Sequence, residues 1–204
     1  MTEVPIRFIK LGGSLLDWGP LKSRFSGWLA GQPPARNVVV VGGGRLADQI
    51  RYYDELHQLD SAATHRAAVL SMSATAQLAA SLLGNLPVVT ECEHLRIKNE
   101  SQTCVVLDPF LMLTQDAPSN SGVALPLGWH VTGDSISAYL AQRVGAQELV
   151  LLKSSLPACD GTWQDVARSG HVDEYFPNIA KNLTRVRMVN LRDVDARQWQ
   201  PQNH

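Results

Sequence analysis

The chain predicts an α/β fold built on a mainly parallel sheet, and three observations carry that prediction. Runs of β-favouring residues alternate with apolar-periodic segments along the chain, the pattern of successive βαβ units. The run Val38-Val39-Val40-Val41 is continuously apolar, which suits a parallel strand covered on both faces. Two such runs end in glycine turns, Lys10-Leu11-Gly12-Gly13-Ser14 and Val41-Gly42-Gly43-Gly44-Arg45.

In chain order, residues 5–11 read as the first strand and 38–41 as the second. Between them Leu21, Phe25, Trp28 and Leu29 recur at helical spacing, and Pro33-Pro34 closes that helix. A right-handed crossover is the default for such a unit. Residues 45–58 form a helix starting directly at Gly44, with Leu46, Ile50, Tyr53 and His57 on one face. A longer helix spans 62–83, with Asp60 or Ser61 as N-cap and a stripe of Ala63, Ala67, Leu70, Ala74, Leu78 and Leu82. Gly84-Asn85 stops it. Short strands at 86–90 and 103–107 flank a polar stretch around 91–102. Residues 114–128, rich in Pro, Ser, Asn and Gly, read as a loop. A helix at about 135–145 has Ile136, Leu140 and Val144 on its apolar face. The buried strand 149–152 follows, ending at Lys153. Residues 154–171 read as loop, Asp173 to Asn182 as a stretch with a short helix, and 185–190 as a last strand.

At 204 residues the chain suits one domain, 1–204, with a sizeable core. A net charge of −1 gives no bulk attraction to nucleic acid or anionic membrane, and no apolar run approaches a membrane span. No signal peptide is evident. Cys92, Cys104 and Cys159 are odd in number and lack metal spacing, so they read as reduced cytoplasmic thiols with no zinc site.

The glycine turns carry the chemistry. Backbone N–H groups at a glycine turn before a helix N-terminus favour anions, phosphate above all. Two such turns at the carboxyl ends of neighbouring strands would face each other across one crevice. Lys10 adjoins one of them, where an ammonium reaches transferring phosphate oxygens. The plain alternative is a tight turn with a solvated lysine. Neither turn is a Walker A loop or a G-x-G-x-x-G fingerprint. Three glycines at 42–44 exceed what one cap needs, and close approach of a ligand accounts for the excess. Asp134, in Thr132-Gly133-Asp134-Ser135, reads either as an N-cap or as a carboxylate that orients lysines around a moving phosphoryl group. Lys153 ends a strand as Lys10 does, at the sheet edge where open α/β folds bind ligands. Arg45, Arg51, His65 and Arg66 are candidate substrate contacts, or ordinary solvated helix residues. Trp129 and His130 are candidate pocket walls, with core filling the alternative for Trp129.

These blocks, in this order, resemble the amino acid kinase superfamily, which includes acetylglutamate, aspartate, uridylate and isopentenyl phosphate kinases. The resemblance covers Ile6 to Leu16, Val38 to Ile50, Trp129 to Ser155 and, more weakly, Val172 to Asn190. It implies a three-layer αβα sandwich with about eight strands and ATP-dependent phosphorylation with Mg²⁺. By position it implies that Lys10 contacts the transferred group, that Gly12, Gly13 and Ser14 hold ATP phosphates, and that Gly43 and Gly44 sit between substrate and γ-phosphate, Gly44 on the phosphate side. It also implies a substrate and phosphate part over about 1–128 and a shortened nucleotide part over about 129–204. Asp134 organises the lysines. Lys153 and Ser154 open a nucleotide-side segment with Asp160 and Gly161 in its loop. Gly42 and Thr132 join the substrate side. The block at 129–136 and Thr64-His65-Arg66 narrow the resemblance to small kinase-like members acting on an aminomethylfuran-methanol phosphate in methanofuran synthesis, linked to one-carbon metabolism. Such members add phosphate to phosphate. The usual Asp-Val-x-Gly-Val/Ile-Tyr run is replaced here by Ser154 to Cys159, and the region after Gly161 is short. The reading is therefore a cytoplasmic small-molecule kinase, phosphate- or carboxylate-directed, forming a homo-oligomer. The alternative is a non-catalytic nucleotide or oxyanion binder on the same fold.

Overall fold

The computed structural model describes residues 4–91, 103–114, 125–158 and 160–201. Seven strands form one sheet: β1 (Ile6–Leu11), β2 (Arg36–Val41), β3 (Val88–Val89), β4 (Cys104–Leu107), β5 (Glu148–Lys153), β6 (Val186–Asn190) and β7 (Gln198–Trp199). Their spatial order is β3-β4-β2-β1-β5-β6-β7. All neighbours are parallel except β6 and β7. Among the described residues this is one strand fewer than the resemblance implied, and β7 was not foreseen.

The helices are α1 (Leu21–Ala30), α2 (Gly44–His57), α3 (Ser61–Leu82), α4 (Phe110–Thr114), α5 (Gly133–Val144), α6 (Trp163–Arg168) and α7 (Phe176–Ala180). Strand alternation sorts the interior into two cores, one on each face of the sheet. Phe8, Val38, Val40, Leu149 and Leu151 pack with α5 and α7. Ile9, Leu11, Val39, Val41, Val150 and Leu152 pack with Leu21, Phe25 and Trp28 of α1. Each fully buried Phe or Leu contributes about 1.5–3 kcal/mol relative to exposure. The helix layers on both faces are those of an αβα sandwich.

The amino ends of the strands are tied by charge. Glu148 on β5 pairs with Arg7 of β1 at 2.7 Å and with Arg187 of β6 at 2.8 Å. Burial raises the Glu148 carboxyl, but hydrogen bonds from Arg187 and Arg7 outweigh it and hold the group below its ordinary range. This clasp leaves the carboxyl ends of the same strands free to build a site.

Several expectations are corrected. The α3 stripe faces outward: Leu70, Leu78 and Leu82 are exposed, while Thr64, Val69, Ser71, Met72, Thr75, Ala76, Ala79 and Ala80 are buried. Small residues allow the helix to lie close to its neighbours, and that outweighs the pull of the leucines. Asp60 is the N-cap, accepting a hydrogen bond from the Ala63 amide at 2.9 Å. Helix α2 buries no residue, and Leu46 and Tyr53 of its expected apolar face are exposed. The stretch 154–171 is not all loop. It holds α6, opened by a capping box in which Thr162 accepts from the Asp165 amide and Asp165 accepts from the Thr162 amide. Helix α4 lies just before the expected loop, most of which, like the polar stretch 92–102, falls outside the described residues. So do Cys92 and Cys159. Cys104 is a buried free cysteine whose thiol burial pushes up to about 11.

Candidate functional site

Lys10 stands one residue before the end of β1, and Lys153 ends the adjacent strand β5. The register pairs Lys10 with Leu151, so Lys153 projects two residues further along the same edge. Helix α5 begins against this edge at Gly133, where an added Cβ would lie 3.3 Å from both Gly42 Cα and Lys10 Cε. Its first turn delivers Asp134. The carboxylate accepts from Lys10 Nζ at 2.7 Å and from Lys153 Nζ at 2.8 and 2.7 Å on its two oxygens. Lys10 is 7% exposed and Asp134 4%.

Burial alone would raise the Asp134 carboxyl. The charges and hydrogen bonds of Lys10 and Lys153 overcome that and bring it to about 2. Burial lowers Lys153 to about 8, a shift that Asp134 opposes and Lys10 reinforces. The trio is therefore two ammonium groups on one permanently ionised carboxylate, with one surplus positive charge at the site.

The two glycine turns meet beside it. Gly13 packs so tightly on Gly44 that an added Cβ would fall on the Gly44 backbone. Gly44 itself has φ +56°, a left-handed conformation that glycine adopts without penalty. Gly12 donates its amide to Leu152 O at 2.9 Å, locking the first turn to β5. Ser14 Oγ lies 3.5 Å from Ser154 Oγ, which joins the segments that follow β1 and β5. This pinched glycine cradle, with ammonium groups at its rim, fits phosphate oxygens, so the residues present suit a nucleotide triphosphate tail. Among the described residues no three His, Cys, Asp or Glu side chains gather as a metal cluster. A Mg²⁺ ion would be held chiefly by phosphate oxygens of the nucleotide, as is usual for this ion.

A cavity of about 280 Å³ opens from the cradle toward α2 and α3. Lys10, Gly13, Ser14, Gly42, Gly43, Gly44 and Thr132 line its inner end, and Arg51, His65 and Trp129 line its walls. Arg51 lies 4.8 Å over the Trp129 ring, and its buried Nε has no hydrogen-bond partner among the described residues. Trp129 Nε1 donates to Asp54 at 2.7 Å, which fixes the ring. Burial holds the His65 imidazole below its ordinary range, so it is neutral near pH 7.

Three expected substrate contacts do not line the cavity. Arg45 is exposed and pairs with Asp17 at 2.9 Å. Arg66 and His130 are also exposed. Asp160 and Gly161 stand in the turn before α6, where Gly161 packs against the Asp165 side chain. Sequence reasoning passed over Asp48, Val69 and Met72, and noted Thr64 and Ile136 without giving them a place in the site; all five line the cavity. It also passed over Asp173, whose carboxylate gathers five donors behind Asp134. The local signal was Asp173 three residues before Phe176, the spacing at which a side chain caps a helix start.

No family model matches the chain. A curated relative, (5-(aminomethyl)furan-3-yl)methyl phosphate kinase of Methanocaldococcus jannaschii, is 24% identical over 194 residues, covering 87% of this chain and 84% of the relative. UMP kinase from Ureaplasma parvum has a TM-score of 0.63 at 12% identity, over 95% of this chain and 93% of that one. Uridylate kinase from Archaeoglobus fulgidus gives 0.57 at 18% identity, over 91% and 89%. Giardia carbamate kinase gives 0.54 at 12% identity, over 96% of both chains. The fold is the one these kinases share.

Proposed function

We propose that the chain is a phosphotransferase of the amino acid kinase kind, moving the γ-phosphoryl group of ATP onto a phosphate oxygen of a small acceptor in this cavity; its curated relative and the kinases that share its fold support the reading. The observation that carries the reading is Asp134 holding Lys10 and Lys153 together where the two glycine turns meet. Phosphoryl transfer needs positioning and charge stabilisation more than covalent help from the protein.

ATP with Mg²⁺ supplies the transferable group. The amides around Gly13, Ser14 and Gly44 hold phosphate oxygens, Gly12 shapes the turn with its own amide given to Leu152 O, and Ser154, Asp160 and Gly161 belong to the nucleotide side. Lys10 and Lys153 neutralise charge on the group in transit, and Asp134 keeps both aimed. The acceptor's P–O–P bond forms as the bond from the γ-phosphorus to the ADP oxygen breaks, and ADP leaves with the electron pair. An ionised acceptor phosphate has no proton to lose, so no general base is required.

The acceptor we assign is an aminomethylfuran-methanol phosphate or a close analogue, the kind of substrate named for the Methanocaldococcus relative. Support comes from the cavity walls. Trp129, Val69, Met72 and Ile136 suit a small flat ring, Arg51 suits an anionic group, and Asp48 suits an amine. Gly42, Gly43, His65 and Thr132 complete that side. The same reading places the protein in the cytoplasm, where ATP is held. It also has two copies pairing through the exposed leucines of α3.

The test is calorimetric titration with Mg-ATP beside a Lys10→Ala control, followed by ³¹P NMR of the acceptor phosphate with ATP. Saturable ATP binding and a new diphosphate signal are expected, with the turnover of Lys10→Ala down about 10²–10³-fold. No binding to wild type at millimolar ATP would reject the reading.

A further inference from the structure

We infer that Asp173 is a positioning residue of the transfer site: it caps helix α5 from outside the helix and so frees Asp134 to hold the two lysines. The inference rests on the kinase reading for its kinetic consequence, but its geometry stands apart from that reading.

A helix N-terminus leaves amides without partners, and the usual remedy is the side chain of the N-cap residue. Helix α5 lacks that remedy, because its N-cap Thr132 makes no side-chain capping bond. Asp173, far along the chain, does the work instead. Its Oδ2 accepts from the Ser135 amide at 3.0 Å, the amide an N-cap side chain would serve. The same oxygen accepts from the Thr132 amide at 3.0 Å and the Thr132 hydroxyl at 2.9 Å. Its Oδ1 accepts from the Ser135 hydroxyl and from the Phe176 amide, the latter at 3.0 Å. Backbone amides thus claim both oxygens.

Asp134 sits between Thr132 and Ser135, inside the clamped turn. A carboxylate in a first turn ordinarily turns to its own helix amides or to solvent. Here the amide of Ser135 is already served and the turn is pinned, so Asp134 is directed across to Lys10 and Lys153. Asp173 also contributes charge. Lys153 is faced by Asp134 from α5, by Lys10 from β1 and by Asp173 from the segment before α7. With Asp173 included, two carboxylates answer two ammonium groups. The α5 N-terminus is consequently closed to phosphate, and anion binding falls to the glycine turns.

The test is Asp173→Asn, close in shape but uncharged, in the full chain. Two readouts separate positioning from bulk structure. One is the pH dependence of kcat/KM together with kcat and acceptor KM. The other, independent of activity, is a ¹⁵N NMR titration of the Lys153 ammonium. Removing a nearby negative charge is expected to lower the Lys153 pKa by about half a unit or more. Misaiming Asp134 is expected to lower kcat about tenfold or more with acceptor KM little changed. A folded Asp173→Asn protein with unchanged Lys153 titration and kcat within about twofold overturns the inference. Should Asp173→Asn fail to fold, Ser135→Ala removes one donor only. It is then expected to lower kcat without moving KM, and unchanged kcat overturns the proposal. A wild type without kinase activity would sink the functional reading, while the NMR titration would still decide this one.

Discussion

Asp134 holds two buried ammonium groups on one carboxylate, and their burial has a pH signature. Lys153 at about 8 loses its proton well below an ordinary lysine. Its charge is needed for transfer, so kcat/KM for ATP should fall above about pH 8, while Asp134 at about 2 adds no acidic limb in the working range. A flat profile to pH 9.5 would refute a charged role for Lys153. Stability follows a separate sign. Between about 8 and the ordinary value of 10.5 the unfolded chain holds more protons at this lysine than the folded one. The contribution of Lys153 to folding therefore rises with pH through that window. Asp134 behaves in the same sense at low pH: its contribution is complete above 3.8 and is lost as pH falls toward 2. Denaturant titrations at stepped pH on wild type and Lys153→Met would separate the lysine term. Lys10, Asp134 and Lys153 were legible in the sequence because each sits at a strand or helix end beside glycine or a buried run. Asp173 was not, because its five donors are gathered by the fold.

Among the elements, the glycine turns and the apolar faces of α1 and α5 were readable, and the faces of α2 and α3 were not. Glycine in excess of capping needs announces a close approach, and the Gly13–Gly44 contact is that approach. Gly13→Ala should force the turns apart. Overpacking of this kind costs about 1–3 kcal/mol, and at this chain length each kcal/mol lowers Tm by about 2–4 °C. A Tm several degrees lower with ATP binding lost is the expected pair of results by scanning calorimetry. Normal ATP affinity in Gly13→Ala would mean the pinched geometry is dispensable. In α3 the spacing of leucines pointed to the wrong side, because a helix can bury alanine, serine and threonine where its neighbours come close. In α6 the Thr162–Asp165 spacing was a start signal, available in the sequence and passed over.

For the molecule as a whole, alternation of strands and helices sufficed to foresee the parallel sheet, since continuous apolar strands leave few other architectures. It could not foresee β7, a two-residue antiparallel edge strand pairing with Met188 and Val189. The leucines turned outward on α3 bear on assembly. Leu70, Leu78 and Leu82 are each close to half exposed, and burying them between two copies would remove that apolar surface from water. Wild type should sediment as a dimer or larger at micromolar concentration, and Leu78→Glu with Leu82→Glu should give monomers. A monomeric wild type would reject the pairing. The sheet order carries one more consequence, for synthesis rather than catalysis. Strand β1 lies at the centre and must find β5, which leaves the ribosome much later. A nascent chain shorter than β5 thus has Lys10 and both glycine turns but an open seam where Lys153 belongs. Pairing over such sequence distance is slow, on the scale of about milliseconds to seconds. Until it closes, the edge of β1 stays exposed, which makes that interval the period when a holding chaperone would matter most to this chain.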